Sequence, residues 1–594
     1  MDGLNGYMGQ ILEVDLTKES TSIVTLDENI AKLFIGGSGY ASKFLYEMMD
    51  PTVEPLGPEN MLLFMTGPLT GTTAPSTGRL VVCGKSPLTG FWGEAHVGGH
   101  FGASVKFSGF DGILVTGQAK EPVYLHVRDE VPEIHSAANL WGTKTDETQE
   151  ILRRKLGRVR TACIGPAGED LVLFASIVTD ERIAARCGLG AVMGSKNLKA
   201  ITVEGKRKVR IADEEGFTKL ARESSKILGE AMYHLRDQGT SLYVDVGIMF
   251  NDMPIKYFQG VEFDADALSA TTMKEFLTGR TACYSCPIGC GRVISLPEFG
   301  MNRVAGPEYQ TIAAFGTGLM ITDLKKVSLM NRLCNQYGMD TISCGSTISF
   351  ATHLCDIGKL DLGLQWNDPD GAIELIHAIA NRTELGDELA EGSMRFAEKH
   401  DVPEMALHVK GMEIPNHDPR AFAGMATVYA VASRGATHLE GDMYSVDMGA
   451  DVRELGIKSG DRLENDAKGT TSAKAQDFRA FFDSIIMCHF AIVPPSTTVN
   501  LLNMATGASF ELEDILKVGA RSVTMKRLFN LKCGLTGADD SIPEPLLSPL
   551  PDYATDDFVP DIEMQVREYY DYRKWDRTSG QPSKEALKDL GLQN

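Results

Sequence analysis

Three cysteines, Cys283, Cys286 and Cys290, stand in the run Thr281-Ala-Cys-Tyr-Ser-Cys-Pro-Ile-Gly-Cys-Gly291, with the spacing C-x2-C-x3-C. Thiolates this close in a reducing compartment usually hold a metal rather than form disulfides. Three of them leave a fourth coordination position to be filled from elsewhere. A structural zinc site would show a second paired cluster, and the chain has no second C-x2-C. The radical-enzyme order C-x3-C-x2-C is reversed here. The spacing therefore favours an iron–sulfur cluster over zinc.

Other residue types suited to chemistry lie far apart in the chain. Cys488 is eligible as the fourth thiolate, but so by composition are Cys83, Cys163, Cys187, Cys334, Cys344, Cys355 and Cys533. Each of these has buried structural cysteine as its ordinary role. Glu308 in Gly306-Pro-Glu-Tyr309 and His438 in Ser433-Arg-Gly-Ala-Thr-His438 are a carboxylate and an imidazole suited to acid–base work. Nothing in the sequence brings them together, and a hydrogen-bonded polar residue is the plainer role for each. The glycine-rich basic stretch Arg182–Lys196 could cradle phosphate with its backbone N–H groups. It is not a P-loop, because the order is Gly194-Ser195-Lys196 and a strand-like run follows. By itself it reads as a tight structural turn.

These residues need a large scaffold, and the chain has 594 residues, enough for several domains. It is 43% hydrophobic and 23% charged, an ordinary globular composition. The net charge of −22 argues against nucleic-acid binding, which needs a basic footprint. The opening Met-Asp-Gly-Leu-Asn-Gly-Tyr shows no basic region with an apolar run behind it. No stretch reaches the ~18 apolar residues of a membrane span. A cytoplasmic, thiol-reduced, metal-bearing protein is the expectation.

Residues 1–207 read as β-rich, with short apolar runs between turn signals at Gln10–Leu16, Met61–Met65, Leu80–Cys83, Gly112–Thr116, Val123–Val127, Leu171–Ile177 and Ala200–Val203. The charged segment Glu204–Arg210 reads as a linker, and the pattern beyond it turns helical. Helices are expected over Thr322–Gly338, Ala372–Asn381, Gly386–His400 and Phe510–Phe529, and a polar loop over Lys458–Ala475.

Several longer stretches share one resemblance. They include Phe34-Ile-Gly-Gly-Ser-Gly39, Gly67-Pro-Leu-Thr-Gly-Thr-Thr-Ala-Pro-Ser-Thr-Gly-Arg79, Lys85-Ser-Pro-Leu-Thr-Gly90, Gly98-Gly-His-Phe-Gly102, Ile164-Gly-Pro-Ala-Gly-Glu169 and Gly190–Ala200. With the cysteine cluster, Gly306-Pro-Glu-Tyr309, Leu528-Phe-Asn-Leu-Lys532 and Trp575, the chain resembles, end to end, the tungsten-containing aldehyde ferredoxin oxidoreductase family. The resemblance implies an α+β fold. A β-rich N-terminal base (1–207) would carry two mainly helical domains (208–417 and 418–594) that enclose a tungsten bis-pyranopterin beside a [4Fe-4S] cluster.

The resemblance also implies roles. Cys283, Cys286, Cys290 and Cys488 match the cluster ligands, and Arg79 the arginine between cluster and pterin. Arg182 and Ile183, with His96 and Gly98, match the site of the pterin phosphates and their bridging Mg2+. Asn335, Met339 and Asp340 fall in the first pterin segment, and Asp483, Met487 and His489 in or beside the second. Glu308 and His438 match the catalytic pair. The implied reaction oxidises an aldehyde with water to the acid and passes electrons to ferredoxin or a partner iron–sulfur subunit.

The chain departs from the family pattern in several places. Asn335 stands for Asp, Ile486 for Gly, His96 for Asn and Glu440 for Lys. Leu329 and Arg332 occupy the positions of an E-x-x-H pair that holds a dimer-interface metal in some relatives, so no such metal is expected. One alternative is a same-family reductase of aromatic acyl-thioesters or carboxylic acids in a larger complex. The missing cysteine in Gln310–Met320 speaks against the acyl-thioester form. Another is a non-catalytic iron–sulfur electron-transfer subunit.

Overall fold

A computed structural model describes residues 4–551 and 554–593. Met1–Gly3, part of the opening read above, lie outside the described residues. The fold is α+β: strands dominate the first third and helices the rest. Six strands, β1 (Gln10–Asp15), β2 (Ser20–Thr25), β3 (Leu62–Met65), β4 (Leu80–Lys85), β5 (Trp92–Val97) and β6 (Gly112–Thr116), form one sheet in the order β2-β1-β6-β3-β4-β5. A second sheet, in the order β11-β10-β9-β12-β7-β8, uses β7 (Val123–Arg128), β8 (Val131–Ser136), β9 (Arg160–Cys163), β10 (Ile177–Thr179), β11 (Arg182–Ala184) and β12 (Leu198–Glu204). Strands β3 and β4 are buried throughout, which suits their unbroken apolar runs.

Most of the expected strands form, but Leu171–Ile177 does not. Its backbone is spent elsewhere. Leu173 N–H donates to Ala390 O at 2.9 Å and Ser176 N–H to Gly338 O at 2.7 Å, so the segment docks the sheet domain onto the helical one. The stretch Arg182–Lys196 is not one tight turn. It contains β11 and a short helix, Leu189–Ser195. A Cβ at Gly194 would lie 1.8 Å from Gly168 O, so only glycine allows that helix to seat.

Helices dominate from Glu214 onward. The segment expected over 322–338 is the helix Leu324–Tyr337, capped by the Asp323 carboxylate and ended by Gly338 in the left-handed region. The expected Gly386–His400 helix is broken into Leu385–Leu389 and Ser393–Lys399, because Gly392 takes φ 85° between them. The expected polar loop Lys458–Ala475 is a loop only in its first half. From Lys468 it is a long core helix, Lys468–Ile485, whose first residue buries its ammonium 2.6 Å from Asp447. That helix packs against Gly37–Met48, Asp514–Lys532 and Ile562–Arg573, carrying the core across the molecule.

A small antiparallel sheet of β13 (Leu277–Thr281), β14 (Gly291–Leu296) and β15 (Met301–Ala305) stands apart from the two large ones. Thr281 pairs with Gly291, so the cysteine loop 282–290 has both ends pinned in one register.

Candidate active site

The cysteine loop docks onto the N-terminal domain through its backbone. Tyr284 N–H donates to Gly99 O at 2.9 Å. Ser76 N–H donates to Ser285 O at 2.9 Å, and Ser76 O accepts from Cys488 N–H at 3.0 Å. The Ser76 hydroxyl also lies 3.4 Å from Cys286 Sγ. One serine thus joins the loop to the segment carrying Cys488, more than 200 residues away. Arg79 Nη1 lies 3.7 Å from Cys488 Sγ. A Cβ at Gly98 would meet Cys283 Sγ at 2.8 Å, so a side chain there would collide with that cysteine. Burial pushes the Cys290 thiol up to about 12 and also raises that of Cys488. A thiolate at Cys290 or Cys488 needs a bound cation to hold its charge, which fits a cluster.

Arg182 sits against this group. Its Nη1 donates to Glu308 Oε1 at 3.3 Å. Burial opposes its charge, but Cys283, Glu308 and Cys290 outweigh that and raise its pKa. Glu308 stands at the start of the helix Tyr309–Phe315, yet its side chain makes no capping bond. The Thr240 hydroxyl donates to the other Glu308 oxygen, while Thr240 Oγ1 accepts from Tyr309 N–H at 2.9 Å. Both carboxylate oxygens are therefore fixed from the side.

His438 lies beyond Tyr309, across a layer of rings. Tyr309 and His417 are 5.2 Å apart, and His417 and His438 are 5.4 Å apart. Tyr444 stacks on His417 at 4.5 Å, and Tyr243 meets His417 edge-on at 5.1 Å. Asp252 binds His417 Nδ1 at 2.6 Å and accepts from Tyr243 Oη at 3.0 Å. Burial, with the charges of His417, Arg186 and Arg434, holds His438 well below the ordinary imidazole range. It is a neutral ring whose buried Nδ1 has no hydrogen-bond partner.

The two segments that the resemblance assigns to pterin binding fall in this same interior. Met339 is wholly buried, and Asp340 caps the helix Thr341–Asp356 while lying 3.1 Å from Arg186 Nε. Asn335 Oδ1 is buried without a partner. Asp483 is flanked by His489 Nε2 at 2.9 Å and His96 Nε2 at 3.5 Å. Burial works against its charge, but the two imidazoles hold its pKa below the usual range. Met487 is buried, and Ile183 lies in β11 opposite Val178. Glu440 accepts from Ser433 N–H at 2.9 Å and lies 3.1 Å from Arg434 Nε. Arg332 pairs with Asp146, and Leu329 packs on the core.

The buried Arg186 and Arg434 and the largely buried Arg182 each keep one guanidinium nitrogen with neither a hydrogen bond nor an ion-pair partner: Arg186 Nη1, Arg434 Nη2 and Arg182 Nη2. Unfilled guanidinium nitrogens inside a protein are costly unless an anion meets them. A pyranopterin bearing phosphates supplies such an anion, so the residues present fit the group. Glu94, His96 and Asp483 also gather their ligand atoms within 4.8 Å. Lys526 Nζ already sits 2.6 Å from Glu94, which makes that trio part of an ion network.

Sequence reasoning did not single out Ser76, Thr240, Asp252 or His417. Arg186 and Arg434 lay in stretches already noted, but nothing marked them as buried. Their roles come from contacts between distant segments.

The aldehyde ferredoxin oxidoreductase N-terminal domain model matches residues 11–205, and the model of domains 2 and 3 matches residues 218–592. The tungsten-containing aldehyde ferredoxin oxidoreductase of Pyrococcus furiosus is 40% identical over 610 residues, covering 99% of each chain. That of Thermococcus kodakarensis is 39% identical over 606 residues, again with 99% of each. An aliphatic sulfonate oxidoreductase, WOR-like subunit, of Pyrococcus furiosus is 31% identical, covering 99% of this chain and 97% of its own. The solved active-site complex BamBC of benzoyl coenzyme A reductase superposes with a TM-score of 0.85 at 24% identity, covering 99% of this chain and 97% of that one. The fold and buried site thus define an oxidoreductase of the tungstopterin class. The chain belongs to the aldehyde ferredoxin oxidoreductase family.

Proposed function

We propose that this protein oxidises an aldehyde with water to the carboxylic acid, releasing two protons and two electrons. The observation that carries this reading is Glu308 held by Arg182 beside the cysteine loop, with the neutral His438 one layer of rings away and open arginine donors between distant segments. When bound, the tungsten bis-pyranopterin supplies a two-electron acceptor, and a [4Fe-4S] cluster on Cys283, Cys286, Cys290 and Cys488 passes electrons on singly.

Glu308, held by Arg182 and Thr240, removes a proton from the attacking water. His438 donates a hydrogen bond to the aldehyde oxygen as negative charge develops there. Arg186, Arg434 and Asn335 offer their unfilled atoms to pterin phosphate and ring groups. His96 and Gly98, with Arg182 and Ile183, would hold the pterin phosphates and Mg2+. Arg79, 3.7 Å from Cys488 Sγ, would hydrogen-bond between the cluster and the pterin. The rings of Tyr243, Tyr309, His417 and Tyr444 pack together beside His438 and exclude water from it. Electrons leave to ferredoxin or a partner iron–sulfur subunit.

The unfilled arginine donors weigh against a non-catalytic electron-transfer subunit. Anaerobically purified protein should contain tungsten near one and iron near four per chain, within about 20%, and should reduce benzyl viologen with aldehydes. Turnover of an aromatic acyl-thioester or an aliphatic sulfonate, with no aldehyde activity, would overturn the reading.

A further inference from the structure

The cysteine loop borders the surface beside a pocket of about 380 Å3, lined by Tyr233, Arg236, Asp237, Leu277, Arg280 and Arg292. Arg292 ties the pocket wall to the loop. Its Nε donates to Cys290 O at 3.1 Å, and its Nη2 to Gly289 O at 3.0 Å and Arg236 O at 2.9 Å. Arg280 stands directly across β13–β14 from Arg292, a like-charge pairing that costs stability. Among the described residues, Arg236, Arg280 and Arg303 have no ion-pair partner. Arg303 Nη2 comes within 3.7 Å of the Cβ position of Gly279, which also lines the pocket. Of the acids nearby, Asp237 pairs with Lys274 at 3.2 Å, Glu308 with Arg182 and Glu298 with Lys325, which leaves the exposed Glu230 and Glu275. On a chain of net charge −22, this is a local excess of positive charge.

Exposed apolar residues flank the same segments. Ile227 is 65% exposed and Tyr233 59%. They sit at the end of the helix Glu214–Ala231 and just past it, where the Cβ position of Gly229 is 3.6 Å from Pro287 of the cysteine loop. Ile492, 62% exposed, follows Cys488 by one helical turn's length of chain. Isolated exposed apolar residues are ordinary, but these three border both segments that carry the cysteines.

We propose that this face is the docking surface for a small, strongly acidic iron–sulfur electron carrier. Ile227, Tyr233 and Ile492 form its apolar contacts, and Arg236, Arg280 and Arg303 steer and orient the acidic partner. The inference rests on the proposed function only in taking the cysteine cluster as the point where electrons leave. The two electrons released per aldehyde reduce two single-cluster carriers in succession.

The test is a binding titration of the holoprotein with an acidic single-[4Fe-4S] ferredoxin at about 20 mM and about 300 mM salt. Wild type, Arg236→Glu/Arg280→Glu and Arg236→Lys/Arg280→Lys are compared at equal iron content. Charge reversal should raise Kd at low salt by at least about tenfold and flatten its salt dependence, and the lysine variant should recover most of the affinity. Benzyl viologen reduction should be equal in all three. Equal ferredoxin affinity in wild type and the charge-reversed variant would overturn the proposal. So would a wild type that binds inorganic phosphate at these arginines but not the ferredoxin. Aldehyde-dependent viologen reduction on the same samples reports separately on the reaction: its loss with docking intact would defeat the aldehyde reading alone.

Discussion

At the residue scale, the site depends on groups held from the side rather than on any single reactive atom. Glu308 has no capping duty, and Arg182 and Thr240 engage its two oxygens. Glu308→Gln keeps that shape but removes the base. It should lower kcat by ~10²–10⁴-fold with tungsten and iron content unchanged. Full turnover in a metal-replete variant would remove Glu308 from the chemistry. Cys488 is placed by a backbone bond to Ser76, so Cys488→Ala should leave the fold intact while the cluster's absorbance and iron content fall. A full [4Fe-4S] spectrum in that variant would assign the fourth ligand elsewhere.

At the element scale, the turn after the core helix is the instructive case. Ile486 caps Lys468–Ile485 at φ 60° and ψ 47°, a left-handed conformation that costs a β-branched residue roughly 1–2 kcal/mol. The resemblance puts glycine there, and the backbone shows why. The isoleucine is retained by packing: it is 1% exposed, and its Cδ1 is 2.7 Å from the Cβ position of Gly37. Ile486→Ala should cost ~2–5 kcal/mol, because it loses the burial and keeps the strain. Ile486→Gly should be more stable than the alanine variant by about 1 kcal/mol. Thermal midpoints of the two variants decide this. An alanine variant equal to or better than glycine would show that the strain is relieved by other means.

At the scale of the whole molecule, burial of imidazoles sets an acid limit. Burial holds both His408 and His438 below the ordinary imidazole range, against Glu413 and Glu398 at His408 and reinforced by His417 at His438. Below the unfolded value near 6.5 the unfolded chain binds more protons than the folded one, so stability falls as pH drops. Each histidine contributes up to about 1.4 kcal/mol per pH unit in that window. The thermal midpoint should therefore fall between pH 7.5 and pH 5.5, two values taken about one unit either side of 6.5. His408→Gln, which keeps an acceptor for Gly411 N–H, should fall less steeply. Parallel curves would place the acid sensitivity in other groups.

The sequence alone determined what local chemistry determines. The spacing of Cys283, Cys286 and Cys290 announces a metal centre, apolar runs such as Leu80–Cys83 become strands, and Asp323 and Gly338 bound a helix. Family-like stretches made the α+β fold legible before any coordinate. Where neighbours from distant segments take over the backbone or the burial, the sequence was silent or misleading. Leu171–Ile177 looked like a strand, but its N–H groups go to the helical domain. Lys468 looked like a loop residue, but Asp447 lets its ammonium be buried. The meeting of Arg182 with Glu308, of Asp252 with His417 and of Ser76 with both cysteine segments was decided only by tertiary structure. Such contacts join residues tens to hundreds of positions apart, and periodicity and spacing record only what happens within a few turns of chain.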